Sequence, residues 1–167
     1  MKPEIYQIEL IGSGSLSIMA KPISGEWIEE SFSDIASAGI NRIVSLLELQ
    51  EAKDVGLSAE KLLSEKNNIE FISYPIPDRG LPPSLSEFSK FTKRLYHEAA
   101  AGLNTVIHCR AGIGRTGIVA AGVLLHCGYE PLAAFKHISK LRGVSVPDTV
   151  EQECWLTINY RNIVTSH

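Results

Sequence analysis

Cys109 and Arg115 stand six positions apart in the segment His108-Cys109-Arg110-Ala111-Gly112-Ile113-Gly114-Arg115-Thr116. The apolar run Thr105-Val106-Ile107 precedes it and Ile118-Val119-Ala120-Ala121 follows. That pattern reads as buried strand, glycine-bearing loop, helix. Such a loop can curl around a tetrahedral dianion, its backbone N–H groups pointing inward and the next helix aiming its N-terminus at the same point. Those dipoles and a facing arginine favour a thiolate, and can bring a thiol pKa from about 8.5 down to roughly 3.5–7.5. The implied chemistry is a phosphate cradle with a nucleophile at its floor: Cys109 attacks phosphorus and forms a phosphocysteine. Arg115 is the clamp, since a planar guanidinium can hold two phosphate oxygens where a lysine cannot. Gly112 and Gly114 permit positive φ and a close approach of the backbone to the ligand. Ala111 and Ile113 contribute their amides, and Arg110 adds positive charge. The competing readings are a buried structural cysteine and a helix-start arginine paired at the surface. The coincidence of arginine, glycines, strand and helix favours the cradle.

His-Cys, five residues, Arg, then Thr is similar to the signature of the cysteine-dependent protein-tyrosine and dual-specificity phosphatases. The variant HCRAGIGRTG most resembles their compact branch, small prokaryotic members included. Tyr74-Pro75-Ile76-Pro77-Asp78-Arg79-Gly80 resembles the family's general-acid loop, and Val146-Pro147-Asp148-Thr149 with Gln152 and Trp155 its C-terminal segment. The likeness covers roughly residues 70 to 156; the earlier part agrees only in layout. It implies hydrolysis of phosphotyrosine, with phosphoserine or phosphothreonine tolerated, on a phosphorylated protein or peptide and without metal or cofactor.

The resemblance also assigns roles. Asp78 becomes the general acid that protonates the leaving oxygen, on a loop able to swing over the pocket; a turn aspartate is the plainer alternative. Arg79 would add charge for the substrate. Thr116 could donate its hydroxyl to the Cys109 sulfur, or cap the helix. His108 is implied to be structural, bonding backbone in the loop. Gln152 could position the hydrolytic water, but Thr149-x-x-Gln152 is itself a capping box, so both readings stand. Asp148 suits a helix cap.

The remaining residues set bounds. The chain has 167 residues, 44% hydrophobic and 21% charged, which suits a single phosphatase domain over 1–167 with a sizeable core. A net charge of −3 gives no footprint for nucleic acid. Cys109, Cys127 and Cys154 form an odd set without CxxC spacing, against a disulfide framework or zinc and in favour of a reducing compartment. No leader-like apolar segment opens the chain and no run is long enough to span a membrane, so a cytoplasmic monomer is expected. His97, His126 and His137 lack metal-ligand spacing.

The elements that must position this chemistry alternate. Strands are expected over 5–11 and 16–20 around a Gly/Ser turn, at Arg42–Leu47, Ile69–Tyr74 and 104–108. Helices are expected where Ile28, Phe32, Ile35 and Ala36 share a face, over 58–66, after the Ser84-x-x-Glu87 capping box, from the loop to Cys127, from Pro131 to Gly143, and from Thr149 to about Ile163. Residues 48–68 otherwise read as polar and mixed. The outcome is an α/β fold, a central, mostly parallel sheet flanked by helices, protein-tyrosine-phosphatase-like, with Cys109 at a strand's carboxyl end. Residues 12–27 and 48–58 are the expected rims of the pocket, with Lys21, Trp27 and Glu48 as candidates there. A phosphoinositide phosphatase using the same loop, a sulfurtransferase, an arsenate reductase and an inactive phosphate-binding module are the rival readings.

Overall fold

The computed structural model describes residues 2–165. The chain begins with a hairpin, β1 (Tyr6–Ile11) and β2 (Gly14–Met19). Its turn needs Gly12: φ is 57°, and a Cβ there would stand 2.4 Å from the Ala100 carbonyl oxygen. A 3-10 turn (Gly25–Trp27) leads into α1 (Ile28–Ser37), which buries Phe32 and Ile35. Next come β3 (Arg42–Ser45), α2 (Leu49–Asp54), α3 (Glu60–Lys66) and β4 (Glu70–Ser73). The rest is α4 (Leu85–Ala100), β5 (Asn104–His108), α5 (Gly114–His126), α6 (Pro131–Arg142) and α7 (Val150–Thr165). Local signals set several of these boundaries. Ser84 Oγ accepts from the Glu87 amide at 3.2 Å to start α4, and Pro131 occupies the first turn of α6. The helix α2 lies in the stretch that reads as mixed and polar, and is the element the residue pattern does not announce.

The five strands run in the order β1-β2-β5-β3-β4, and every neighbouring pair is parallel except the β1–β2 hairpin. β5 is therefore central, with β2 and β3 beside it. Alternation along the strands sends Ile107 and Val44 to one face, under α4–α7, and Val106 and Ile43 to the other, under α1 and α3. Each such side chain, fully buried, contributes roughly 1.5–3 kcal/mol. Every residue of α5 except His126 is buried, and the helix packs against α4, α6 and α7. Gly122 makes the approach of α4 possible, because a Cβ there would fall 2.7 Å from Phe88 Cζ. The consequence for function is placement: the loop between β5 and α5 leaves the middle of the sheet at its carboxyl end.

Candidate active site

Cys109 is the first residue beyond β5 and is only 3% exposed. Residues 110–113 curl from it to the start of α5. Gly112 takes φ of 73°, and a Cβ there would stand 2.5 Å from the Met19 carbonyl oxygen, so the loop is wedged against the end of β2. Gly114 serves by close approach instead. Its φ is not positive; glycine is required because a Cβ would meet Asp148 Cβ at 2.9 Å and Gln152 Oε1 at 3.1 Å. Above the sulfur is a cleft of about 220 Å³, walled by the loop, by Asp78 and Arg79, and by Asp148 and Gln152. The expected rims, 12–27 and 48–58, do not line it, nor do Lys21, Trp27 or Glu48. Lys21 instead donates its amide to the Arg110 carbonyl at 3.1 Å, another tie on the loop.

Arg115 is 2% exposed and its guanidinium is held on several sides. Nη1 donates to Glu51 Oε1 at 2.7 Å and to the Ile76 carbonyl at 2.9 Å; Nη2 donates to Glu51 Oε2 at 2.8 Å and to Asp78 Oδ1 at 3.2 Å. Burial works against the charge, but Glu51, Cys109 and Asp78 outweigh it and hold the Arg115 pKa above its ordinary value. The hydrogen bond from Arg115 in turn holds the Glu51 carboxyl below the usual range, against the effect of burial. Arg110 Nε joins the same carboxylate at 3.2 Å. Glu51 is thus the counterion of the clamp, and the residues alone did not flag it. The usable signal was Glu48-x-x-Glu51 behind an apolar strand: the Glu48 amide donates to Glu51 Oε1 at 3.3 Å, as in a capping box.

A second residue missed by the sequence reading is Arg142, at the end of α6. It donates through Nη2 to the Ala111 carbonyl at 2.9 Å and through Nε to the Gly112 carbonyl at 3.3 Å, while its guanidinium lies 4.6 Å from the Tyr6 ring centroid. Pinning those carbonyls on the outside of the loop turns the attached N–H groups inward. His108, fully buried, has Nδ1 3.1 Å from the Cys109 carbonyl oxygen and Nε2 2.5 Å from Glu60 Oε2. Thr116 departs from expectation: its hydroxyl is buried with no hydrogen-bond partner among the described residues, the Cys109 sulfur included.

The acid loop is held differently. The Asp78 side chain is 59% exposed, and its partner is Arg115. Arg79 takes φ of 57°, a strained value for a side-chain-bearing residue, and its guanidinium pairs with Asp148 Oδ2 at 2.8 Å. Asp148 therefore uses its carboxylate on Arg79, where a helix cap was expected. Gln152 is buried and held at both ends of its carboxamide: Oε1 accepts from the Asp148 and Thr149 amides at 3.1 Å each, and Nε2 donates one N–H to the Gly80 carbonyl at 3.1 Å. The capping box is present, and the same carboxamide fastens the acid loop to the start of α7.

Other titratable groups stand outside the site. Burial, with Lys93 and His97 nearby, lowers the His126 pKa to about 4, and burial, with Glu9, raises the Cys127 thiol to about 11. Among the described residues no cluster of three His, Cys, Asp or Glu could hold a metal ion, and no helix is long and apolar enough to cross a membrane.

A parallel-stranded α/β sheet with a thiol, an arginine clamp and a glycine-wedged anion loop at the carboxyl end of its central strand defines the class of cysteine-dependent phosphatases. Comparison with known proteins makes this specific. The family model described as "PTP-SAK: Swiss Army Knife protein, DSP-PTPase phosphatase domain" matches residues 7–159, and the chain belongs to that family. It is 30% identical over 146 residues to "Putative tyrosine phosphatase 197R" of Invertebrate iridescent virus 6, covering 83% of this chain and 50% of the viral protein. It is also 30% identical over 96 residues to cyclin-dependent kinase inhibitor 3 of Sus scrofa, covering 56% of this chain and 44% of the porcine protein. The chain thus spans about half the length of these curated relatives. The fold matches that of a kinase associated phosphatase, crystallised with its catalytic-site cysteine changed to serine. The TM-score is 0.88 at 22% identity, over 100% of this chain and 98% of the other.

Proposed function

We propose that the chain hydrolyses phosphate monoesters on proteins or peptides, phosphotyrosine above all and phosphoserine or phosphothreonine besides, through a phosphocysteine on Cys109. One observation carries the reading: Cys109, the Arg115 clamp and Asp78 converge on one cleft with the anion loop between them. The thiolate attacks phosphorus in line with the ester oxygen, the P–O bond breaks, and the leaving oxygen takes the proton of Asp78. Arg115 and the amides of residues 110–114 carry the charge of the equatorial oxygens. Water then attacks the phosphocysteine, gives a proton to the Asp78 carboxylate, and the P–S bond breaks to release phosphate and the thiolate. Thr116, with an unused buried hydroxyl, is the candidate donor to the departing sulfur. Gln152 holds the acid loop through its bond to Gly80, and its second Nε2 N–H is the candidate to place the hydrolytic water. Arg79 and Arg110 supply positive charge at the mouth. No metal or cofactor enters these steps, and activity is expected to persist in chelator. A reducing compartment, the cytoplasm, suits a nucleophile that must stay a thiolate.

The test is phosphate release from a phosphotyrosyl peptide by the wild type and by Cys109→Ser. Turnover is expected to vanish in the variant while peptide binding remains. Steady-state activity in a clean Cys109→Ser preparation would remove Cys109 as the nucleophile.

A further inference from the structure

Behind the cradle, on the face of the sheet under α1 and α3, His108 and Glu60 form a pair sealed from solvent, their side chains 0% and 3% exposed. The Cys109 carbonyl oxygen can only accept, so the hydrogen bond at His108 Nδ1 requires a proton on that nitrogen. The contact of Nε2 with Glu60 Oε2 then requires one more proton, shared between imidazole and carboxyl. Whichever group holds it, the pair as a whole carries no net charge and both ring nitrogens are engaged. The ring is therefore fixed in orientation from α3, a different element from those that hold Arg115 and Arg142.

We propose that Glu60 is a positioning residue for the reaction: through His108 it fixes the peptide that follows the nucleophile. In a trans peptide the carbonyl and the next N–H point in opposite directions. Holding the Cys109 carbonyl toward His108 turns the Arg110 N–H the other way, to the anion side of the loop. Losing the clamp frees that peptide to rotate and withdraws one dipole from the thiolate and from bound phosphate. The charged groups that line the cleft with the sulfur are Asp78, Arg79, Arg110, Arg115 and Asp148, with Glu51 behind Arg115, and no bond described above joins any of them to His108. Glu60 therefore acts separately from the Arg115 network. The inference rests on Cys109 being the nucleophile.

The experiment follows the pH dependence of Cys109 alkylation, read by peptide mass spectrometry, beside kcat and KM. Wild type, Glu60→Ala, Glu60→Gln, His108→Asn and the double variants are compared. Glu60→Ala should raise the alkylation midpoint by about one pH unit and lower kcat roughly 10- to 100-fold with little change in KM. Glu60→Gln should recover most of this, because its amide can donate to Nε2 in the same place. In the His108→Asn background, changing Glu60 should shift the midpoint no further. A lowered melting temperature with an unchanged midpoint and kcat in Glu60→Ala would overturn the proposal, as would additive effects of Glu60 and His108. Should Glu60→Ala not fold, the wild type offers a second reading. A slowly exchanging, far-downfield imidazole proton is expected from His108, lost in Glu60→Gln; its absence from the wild type would count against the clamp. An ordinary thiol midpoint for Cys109 in the wild type would instead overturn the nucleophile reading, a separate outcome.

Discussion

The phosphate loop and the acid loop meet at one cleft and are built in opposite ways. The first runs from a central strand into a buried helix, and is tied by Lys21, Arg142 and His108, with Gly112 wedged on β2. Asp78 in the second is mostly exposed, and its loop is fastened by the Arg79–Asp148 pair at the surface and the Gln152–Gly80 bond. Exposed pairs of this kind contribute about 0–1 kcal/mol, whereas breaking a buried pair such as Arg115–Glu51 costs about 3–5 kcal/mol. The difference teaches a division of labour. The end proposed to stabilise charge is set in advance, and the end proposed to deliver a proton is held by the weaker ties.

Substitutions that test this division should separate by leaving group. The largest effect is expected from Asp78→Asn: phenyl or tyrosyl phosphate should slow roughly 10²–10⁴-fold, the range for general acid catalysis, while a highly activated aryl ester slows far less. The high-pH limb of the rate profile should flatten with it. Equal loss across leaving groups would reduce Asp78 to a loop-shaping residue. Arg115→Lys should cost about 10²–10³-fold in kcat, evenly across leaving groups, because the clamp serves the phosphoryl group itself. A leaving-group-dependent loss there would erase the contrast between the loops. Arg142→Ala should cost about 10-fold, again evenly, since it acts on the loop's shape and not on a reacting atom. The smallest effect is expected from Asp148→Asn, within about threefold, and the wild-type rate should change with ionic strength in a way the variant's does not. A large loss in Asp148→Asn would mean that the acid loop works locked.

The acid limb of stability offers another probe of the buried side. The Glu51 pKa in the folded chain lies below its ordinary 4.5, so the unfolded chain binds its proton first as pH falls. The Arg115–Glu51 pair should therefore stabilise fully above about pH 4.5 and lose that contribution as pH drops through the folded value. Denaturant midpoints measured for wild type and Glu51→Gln should converge at low pH and part as pH rises; parallel curves would deny the pair this role.

Much of this was legible in the residues, for physical reasons that also mark the limits. The strand at 104–108, its glycine loop and the helix after it carry strong local signals, and so do Ser84, Pro131 and Gly143 at helix ends. Cys109, Asp78 and Arg115 stand out because their types and order suit a single chemistry. Glu51 did not, since α2 has only six residues, too few to show a periodic face, and Leu49 at its start is 76% exposed. Arg142 and Glu60 reach the loop only through tertiary packing, from helices whose own patterns say nothing of a ligand. At Gly114 it is the nearness of Asp148 and Gln152, a matter of tertiary packing, that excludes a side chain.

The burial of α5 has a consequence for how the protein can fail. Amides near the start of this helix form one wall of the cleft, yet the helix is also the centre of the core beneath α4, α6 and α7. Its hydrogen exchange should proceed only through global opening, in one cooperative unit with β5, while amides of residues 78–82 exchange through small local openings. Heat should accordingly abolish anion binding in the same transition that melts the chain, with no earlier, partly inactivated stage. Mild loosening of the acid loop alone would leave a protein that still captures phosphate.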